Sequence, residues 1–180
     1  KVLPLDVAEP RSIGELAREI DMLDVRIDTL INNAGVLTPG EAFGAVEPKS
    51  LDQAFATNAA GPFLLTQALA PRLADAAKVI AISSGLGSIA RAARFGTPSY
   101  NISKAALNMV VRMLGFALAE RRIAVLALSP GWVKTEMGGA GADLEPAQSV
   151  ANMLKVIDAL HFDADNIGHF LGNSGNAVPW

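Results

Sequence analysis

Short apolar segments rich in β-branched residues alternate along the chain with longer segments in which apolar residues recur every three or four positions. The first pattern is typical of buried strands and the second of amphipathic helices. The predicted strands are residues 2–7, 29–31, 78–83, 123–128 and 169–171. The predicted helices are one that begins at Pro10 and those over residues 50–73, 97–120 and 146–160. This alternation predicts right-handed crossovers and a parallel sheet with helices on both faces.

The order of elements therefore predicts an α/β fold with a doubly wound parallel sheet in three layers, α/β/α. No repeat, low-complexity block or linker divides the chain, so residues 1–180 are expected to form a single domain. In sheets of this kind ligands bind beyond the carboxyl ends of the strands. The residues that follow each strand are therefore the first candidates for function.

Composition narrows the classes of function. The chain is 51% hydrophobic and 18% charged, which suits a globular domain, and its net charge of −3 argues against a nucleic-acid partner. The mean hydropathy is +0.31, but no apolar stretch approaches the roughly 20 residues of a spanning helix, so no membrane partner is expected. Cysteine is absent, so no disulfide or thiolate chemistry and no metal site is predicted. No signal peptide is recognisable, and the cytoplasm is the favoured compartment.

A tyrosine and a lysine four residues apart form a candidate acid–base pair. Tyr100 is the only tyrosine, and Lys104 lies on the same face of the predicted helix. A nearby ammonium group stabilises a phenolate, so Lys104 is expected to lower the pKa of the Tyr100 hydroxyl toward neutrality. A surface helix with an unrelated lysine has the same spacing, so the pair alone does not identify an active site.

Small and polar residues also follow other strands. Asn-Asn-Ala-Gly occupies residues 32–35, and Ser83 and Ser84 follow the next strand, where a hydroxyl can either bind a carbonyl oxygen or cap a turn. Asn58 lies close to a glycine and a proline within a helical pattern, which indicates either a kink that frees a carbonyl to hold water or a simple bend. A serine hydrolase is disfavoured because Gly-x-Ser-x-Gly is absent and both histidines lie near the C-terminus.

The order of these motifs resembles that of the short-chain dehydrogenase/reductase family over essentially the whole chain. The matching positions are residues 32–35, Asn58, Ser84, Tyr100 with Lys104, and Pro130-Gly131. The resemblance implies a Rossmann-like fold and an enzyme that moves a hydride between NAD or NADP and a small carbonyl or alcohol substrate. The end of the chain, residues 168–180, resembles the small carbonyl-reductase and C-factor-like members.

The resemblance also assigns roles to individual residues. Tyr100 would be the general acid or base, Lys104 would lower its pKa and bind the nicotinamide ribose, Ser84 would polarise the substrate oxygen, and Asn58 would hold a water on a proton relay. The expected cofactor contacts also include Asp6, Val7, Asn33, Ala34, Gly35, Pro130, Gly131, Val133 and Thr135. The candidates for the substrate pocket are Phe95, Trp132 and Met137, together with Trp180.

The N-terminal part of the family pattern is missing from this sequence. The first two strands and the Gly-rich turn between the first strand and its helix supply the pyrophosphate site and select NAD or NADP, so cofactor preference is not readable from this chain. The missing strands would lie between residues 2–7 and the strand at residues 29–31. We therefore expect about fifty further N-terminal residues, the size of one βαβ unit with its following helix.

Two other functions compete with this interpretation. One is a catalytically silent family member that binds nucleotide as a regulatory or signalling module, against which the presence of Asn58, Ser84, Tyr100 and Lys104 argues. The other is a related epimerase or dehydratase, which usually has a larger C-terminal substrate region. A homodimer or homotetramer is expected, because family members often pair through the helices that carry Asn58 and Tyr100. Ala105, Ala106, Leu107, Met109 and Val110 would supply the apolar face.

Overall fold

A computed structural model describes all 180 residues. The helices are α1 (Pro10–Leu23), α2 (Pro48–Phe55), α3 (Gly61–Leu69), α4 (Pro98–Ala117) and α5 (Pro146–Ala159), and the strands are β1 (Ile27–Asn32), β2 (Leu73–Ile82), β3 (Ala124–Ser129) and β4 (His169–Gly172). Four of the five helices begin at a proline, whose missing N–H costs no hydrogen bond at a helix start. No helix is both long and apolar enough to cross a membrane.

The four strands form one parallel sheet in the order β1-β2-β3-β4. On one face, α4 covers a core that includes Val79, Val125 and Val111. On the other face, α5 covers Ile80 and Leu126. Because helices cover both faces, all six residues of β3 are buried. The predicted α/β fold is confirmed, as are the strands at residues 29–31, 78–83, 123–128 and 169–171.

The strand predicted at residues 2–7 is wrong. These residues form no ladder and lead through a turn into α1, because no strand lies beside them to accept and donate backbone hydrogen bonds. The segment is held by other contacts instead. The Asp6 amide donates to Ser12 Oγ at 2.9 Å, and Val7 packs on the apolar cluster between α1 and α3.

The helix predicted over residues 50–73 is interrupted. One π-helical turn, Ala56–Ala60, joins α2 to α3, and the Gly61 amide donates to the carbonyl of Ala56, five residues back. The backbone carbonyl of Thr57 therefore lacks its ordinary donor, the amide of Gly61. The backbone carbonyl of Asn58 also lacks its ordinary donor, because Pro62 has no N–H. Such wide turns occur frequently at functional sites. The turn places Asn58 in the interior, with no exposed surface.

The C-terminal residues are folded back onto the loop that follows β2. Ser88 Oγ donates to the carbonyl of Pro179 at 2.7 Å, and the Ala90 amide donates to the carbonyl of Trp180 at 3.0 Å. The Trp180 ring packs on Phe170 of β4, with ring centroids 5.4 Å apart. The end of the chain therefore anchors the loop that leads from Ser84 to α4.

Candidate active site

The carboxyl ends of β1 and β2 and the first turns of α4 bring the four predicted catalytic residues together. Ser84 is the second residue after β2, Tyr100 and Lys104 lie in the first two turns of α4, and Asn58 lies in the π-turn. Asn58, Tyr100 and Lys104 are buried, with relative exposures of 0%, 8% and 3%, whereas Ser84 is half-buried. The site is thus a largely desolvated set of polar groups with one accessible hydroxyl.

Tyr100 and Ser84 lie close together. Burial raises the pKa of Tyr100 above its ordinary value, and the nearby Ser84 hydroxyl opposes that rise. The Leu86 amide donates to Ser84 Oγ at 3.1 Å, so one lone pair of the hydroxyl is occupied. The neighbouring hydroxyl of Ser83 instead donates to Asn108 Oδ1 of α4 at 2.7 Å. The two serines therefore differ in role: Ser83 braces the helix and Ser84 faces the tyrosine.

Lys104 is held by the backbone at the end of β2. Its Nζ donates to the carbonyl of Ile82 at 2.7 Å and lies 5.6 Å from the centroid of the Tyr100 ring. Burial lowers the pKa of Lys104 from 10.5 to about 8. The effect of Lys104 on the pKa of Tyr100 stays a prediction; in this structure the pKa of Tyr100 is raised, because desolvation of the phenol is the larger influence.

The Asn58 side chain bridges three parts of the site. Its Oδ1 accepts from the Val36 amide at 2.8 Å, while its Nδ2 donates to the Val36 carbonyl and to Ser103 Oγ, both at 2.9 Å. The amide group therefore ties the loop after β1 to α4. The group left without its ordinary helical partner is the Asn58 backbone carbonyl, since Pro62 cannot donate to it.

Glu41 holds the start of α4, a role that the sequence analysis missed. The Ser99 amide and hydroxyl donate to Glu41 Oε2 at 3.2 and 2.8 Å, while Glu41 Oε1 is buried without a partner. Thr97, at the usual capping position, has a left-handed φ of +40° and makes no capping bond. A carboxylate from the loop after β1 thus caps the helix one residue before Tyr100.

Gly87 lies against the backbone of Lys104 and was also missed. A Cβ atom on Gly87 would lie 2.8 Å from the carbonyl carbon and the Cβ of Lys104. Asn108 Nδ2 donates to the Gly87 carbonyl at 3.1 Å, which fixes the same contact from the helix side. The loop that presents Ser84 can therefore approach α4 only because residue 87 lacks a side chain.

In the loop after β1, the residues predicted to contact the cofactor are exposed. Asn32 is buried and donates to Thr66 Oγ1 at 3.3 Å, whereas Asn33, Ala34 and Gly35 are exposed. A Cβ on Gly35 would lie 3.4 Å from Asn58 Oδ1 and 3.6 Å from Lys104 Nζ. The exposed backbone therefore runs directly over the catalytic cluster, and its small residues fit the close approach of a nucleotide.

The turn after β3 is held in a fixed shape. Gly131 has a φ of +82°, and a Cβ there would lie 2.7 Å from Leu144 Cδ1. Ser149 Oγ donates to the Pro130 carbonyl at 2.7 Å, and Val133 is bridged to Leu144. Thr135 Oγ1 accepts from the Gly138 amide at 3.1 Å. The four cofactor contacts predicted here, Pro130, Gly131, Val133 and Thr135, thus lie in one ordered loop at the carboxyl end of β3.

The structure separates the candidate substrate residues. Phe95 lines a cavity of about 510 Å³ in the loop after β2 and packs edge-on against Phe43, with centroids 5.7 Å apart. Trp132 and Met137 lie half-exposed in the loop after β3, where Trp132 Nε1 donates to the Gly138 carbonyl. Trp180 packs on Phe170 in the C-terminal tail and is not among the residues that line this cavity.

Asp6 and Val7 lie in the segment before α1. Asp6 is exposed, and its Oδ1 accepts from the Ala8 amide at 2.9 Å. Val7 is half-buried against the cluster formed by Ile13, Leu65 and Leu69. Both residues remain candidates for contact with the adenine end of a nucleotide.

Comparison with known proteins gives a consistent family. The sequence model of the family described as enoyl-(acyl carrier protein) reductase matches residues 1–167. The C-signal protein of Myxococcus xanthus is 40% identical over 156 residues, which are 86% of this chain and 93% of that protein. The 1-hydroxy-2-glutathionyl-2-methyl-3-butene dehydrogenase of Rhodococcus sp. strain AD45 is 31% identical over 180 residues, covering 98% of this chain and 78% of that protein.

Solved structures agree with the sequence relatives. The carbonyl reductase Sniffer of D. melanogaster superposes with a TM-score of 0.92 at 30% identity, over 99% of this chain and 77% of that one. The NADPH-bound carbonyl reductase from chicken fatty liver superposes with a TM-score of 0.91 at 34% identity, over 100% of this chain and 77% of that one.

Proposed function

Because the chain belongs to the short-chain dehydrogenase/reductase family and is an NAD(P)-dependent oxidoreductase, we propose that it interconverts a small carbonyl compound and its alcohol with Tyr100 as the proton-transfer group. The observation that carries this proposal is the buried side chain of Tyr100, with Ser84 close enough to affect its pKa and Lys104 Nζ 5.6 Å from the centroid of its ring. A proton donor and a hydrogen-bond donor that converge on one point are what a reacting carbonyl oxygen requires.

Bound NAD(P) supplies the hydride donor or acceptor. The raised pKa of Tyr100 keeps its hydroxyl protonated at neutral pH, so it can donate a proton to the substrate oxygen during carbonyl reduction. The Leu86 amide occupies one lone pair of Ser84, and the hydroxyl proton is left to donate to the same oxygen. In alcohol oxidation the roles reverse, and Tyr100 must first lose its proton.

Lys104 serves as a ribose ligand and as the entry to a proton route. Its ammonium has three N–H donors, and the Ile82 carbonyl accepts only one of them. The other two are available to the hydroxyls of a nicotinamide ribose. The Asn58 backbone carbonyl, which lacks its ordinary helical donor, is the proposed holder of a water between Lys104 and solvent.

The remaining cofactor contacts follow from the two loops at the sheet edge. We assign the adenine ribose to the exposed backbone of Asn33, Ala34 and Gly35, and the carboxamide to the ordered turn that contains Val133 and Thr135. Asp6 and Val7 would contact the adenine.

The direct test is oxidation of NADPH and NADH by the full-length protein with small ketones, aldehydes and quinones, in parallel with Tyr100→Phe. We expect the wild type to turn over at least one carbonyl class and Tyr100→Phe to lose activity by about 10²-fold or more, the scale of a positioned general acid. Nucleotide affinity, followed by NADPH fluorescence, should be unchanged. Equal activity of the two proteins would overturn the role of Tyr100.

A signalling function is the second candidate, because a relative at 40% identity is named C-signal. The same experiment separates the two functions. Tight nucleotide binding without turnover by the wild type on any carbonyl would favour a nucleotide-dependent signalling module. Turnover that depends on Tyr100 would favour the enzyme.

We also propose that two copies pair through α3 and α4. A surface depression of about 460 Å³ on these helices and the preceding turn is lined by nine residues, all hydrophobic. Among them, Phe55, Met109 and Met113 are 52%, 61% and 48% exposed. Exposed apolar area of this kind is typical of protein interfaces. Leu107, predicted for this face, instead points into the core and is 1% exposed.

A further inference from the structure

The loop between Ser84 and α4 contains two arginines with no acidic partner. Arg91 and Arg94 line the cavity of about 510 Å³ together with Phe95 and Asn101, and the whole lining comes from residues 85–101. Neither guanidinium forms an ion pair, whereas six ion pairs are present elsewhere in the chain. Resting on the proposed function, we infer that this cavity is an anion subsite and that the enzyme prefers carbonyl substrates that also carry a carboxylate.

Position supports this assignment. Arg91 Nη1 lies 3.9 Å from the place a Cβ of Gly85 would occupy, and Gly85 is the residue after the hydroxyl that polarises the substrate oxygen. The C-terminal tail anchors the same loop through hydrogen bonds with Ser88 and Ala90, and these bonds restrain the backbone next to Arg91. A charged group bound here would therefore lie close to the reacting carbonyl.

The local charge also favours an anion. None of the residues that line the cavity is an aspartate or a glutamate, whereas Arg91 and Arg94 both line it. This contrasts with the net charge of −3 for the whole chain. Glu41, the carboxylate that reaches this region from another loop, is engaged by Ser99 at the start of α4. The two guanidinium groups are therefore left for a ligand.

The chemistry of the lining narrows the substrate class. Arginine presents parallel N–H donors that match a carboxylate, and the half-exposed Phe95 ring offers an apolar contact beside them. An aryl or alkyl ketone with a carboxylate at its far end satisfies both groups. The matching neutral ester keeps the apolar contact but loses the ionic one.

The experiment compares para-acetylbenzoate with its methyl ester as substrates of the full-length protein. For the wild type, we expect a lower KM for the acid, and for the double variant R91A/R94A a rise in that KM of about ten- to a hundred-fold, as expected for loss of charged hydrogen bonds. The KM for the ester and the kcat for both should change less than about two-fold, on the premise that the ionic contact contributes to binding alone. Arg18→Ala, which removes an exposed arginine on α1 that forms no ion pair, controls for the loss of a surface cation away from the cavity.

Binding measured without turnover separates this inference from the proposed reaction. Calorimetric titration of para-acetylbenzoate should show binding to the wild type and to Arg18→Ala and a loss of about ten-fold or more in R91A/R94A. If the ester turns over while acid and ester bind both proteins equally, the anion subsite is wrong and the dehydrogenase function stands. If no carbonyl turns over but the acid binds through the arginines, the subsite stands and the reaction is wrong.

Discussion

Burial works against charge at both members of the catalytic pair. It raises the pKa of Tyr100 and lowers that of Lys104 to about 8, which shifts both groups toward their neutral forms while Lys104 stays mainly an ammonium at pH 7. The spacing of Tyr100 and Lys104 predicted their shared helix face, but not this effect. Desolvation depends on the loops from β1 and β2 that pack over α4, and no local pattern in α4 encodes them.

The shifted pKa of Lys104 predicts a specific pH dependence of stability. Between about pH 8 and 10 the folded protein binds fewer protons at this lysine than the unfolded chain, so the free energy of unfolding should rise with pH, by about 2 kcal/mol over this range. Urea unfolding at pH 7, 8, 9 and 10 measures it. Lys104→Met should remove the rise, and an identical profile in both proteins would contradict the assignment.

Alcohol oxidation and carbonyl reduction should differ in their response to pH. Oxidation needs the Tyr100 phenolate, which becomes more populated as pH rises toward its raised pKa, so the initial rate of oxidation should increase from pH 7 to 9. Reduction uses the protonated hydroxyl and should not gain over the same range. Initial rates in both directions with saturating cofactor test this, and parallel profiles would argue against Tyr100 as the titrating group.

Gly87 illustrates how one missing side chain positions the site. Gly87→Ala would force a methyl group to within 2.8 Å of the Lys104 backbone, and we expect a loss of about 1–3 kcal/mol in stability, the usual cost of overpacking. A drop in kcat should accompany it, since Ser84 moves relative to α4. Gly85→Ala is the matched control, because its Cβ would meet nothing closer than Arg91 Nη1 at 3.9 Å. Equal effects of the two substitutions would refute the close-contact explanation.

At the scale of elements, α4 combines a row spacing of polar residues that the sequence predicts with long-range partners that it does not. Its buried face holds Ser99, Tyr100, Ser103, Lys104 and Asn108, which are polar residues at four-residue intervals along two adjacent rows. That spacing is visible in the sequence and indicates a polar face turned inward. The partners of these residues are not visible there, because Asn58, Gly87 and Ser83 come from other segments.

The cap supplied by Glu41 is expected to position α4. Glu41→Ala should destabilise the protein by about 1–2 kcal/mol, as for loss of a helix cap, and lower kcat while leaving the affinity for nucleotide nearly unchanged. Glu41→Gln should recover part of both losses. Glu47→Ala is the control, since Glu47 sits at the start of α2 without a capping bond. A Glu41→Ala protein with normal kcat would limit the residue to a stabilising role.

The π-turn between α2 and α3 was partly foreseen from Asn58, Gly61 and Pro62. Those three residues predict a break, but a bend and a carbonyl-freeing kink were equally compatible with them. The choice depends on where the Asn58 amide finds partners, and these are the Val36 backbone and Ser103, 22 and 45 residues away. Long-range contacts of this kind are the part of an element that a local pattern leaves undetermined.

At the scale of the whole molecule, periodicity predicted the parallel sheet and its flanking helices but failed at residues 2–7. An apolar, β-branched segment becomes a strand only when a neighbour completes its ladder. β1 lies at an edge of the sheet with no strand on its outer side, and its Ile31 is 46% exposed. The β-rich composition of a segment therefore predicts a strand only together with its partners.

The apolar face on α3 and α4 predicts self-association of the full-length protein. Met109→Glu should convert a dimer to a monomer in sedimentation experiments, because it places a charge on the proposed apolar interface. Met22→Glu, at a methionine on α1 that is 77% exposed against 61% for Met109, should leave the mass unchanged. A wild-type protein that is already monomeric at micromolar concentration would disprove the pairing.

Fluorescence of the two tryptophans, Trp132 and Trp180, reports on the site. Trp132 is half-exposed on the loop after β3, while Trp180 is stacked on Phe170 at the anchored tail. Excitation of indole is passed efficiently to a reduced nicotinamide nearby, so emission from Trp132 should be quenched when NADPH binds. Because the chain has no other tryptophan, replacing either one with phenylalanine isolates the signal of the other. Motion of the loop after β3 and of the C-terminal tail then becomes measurable in separate stopped-flow traces.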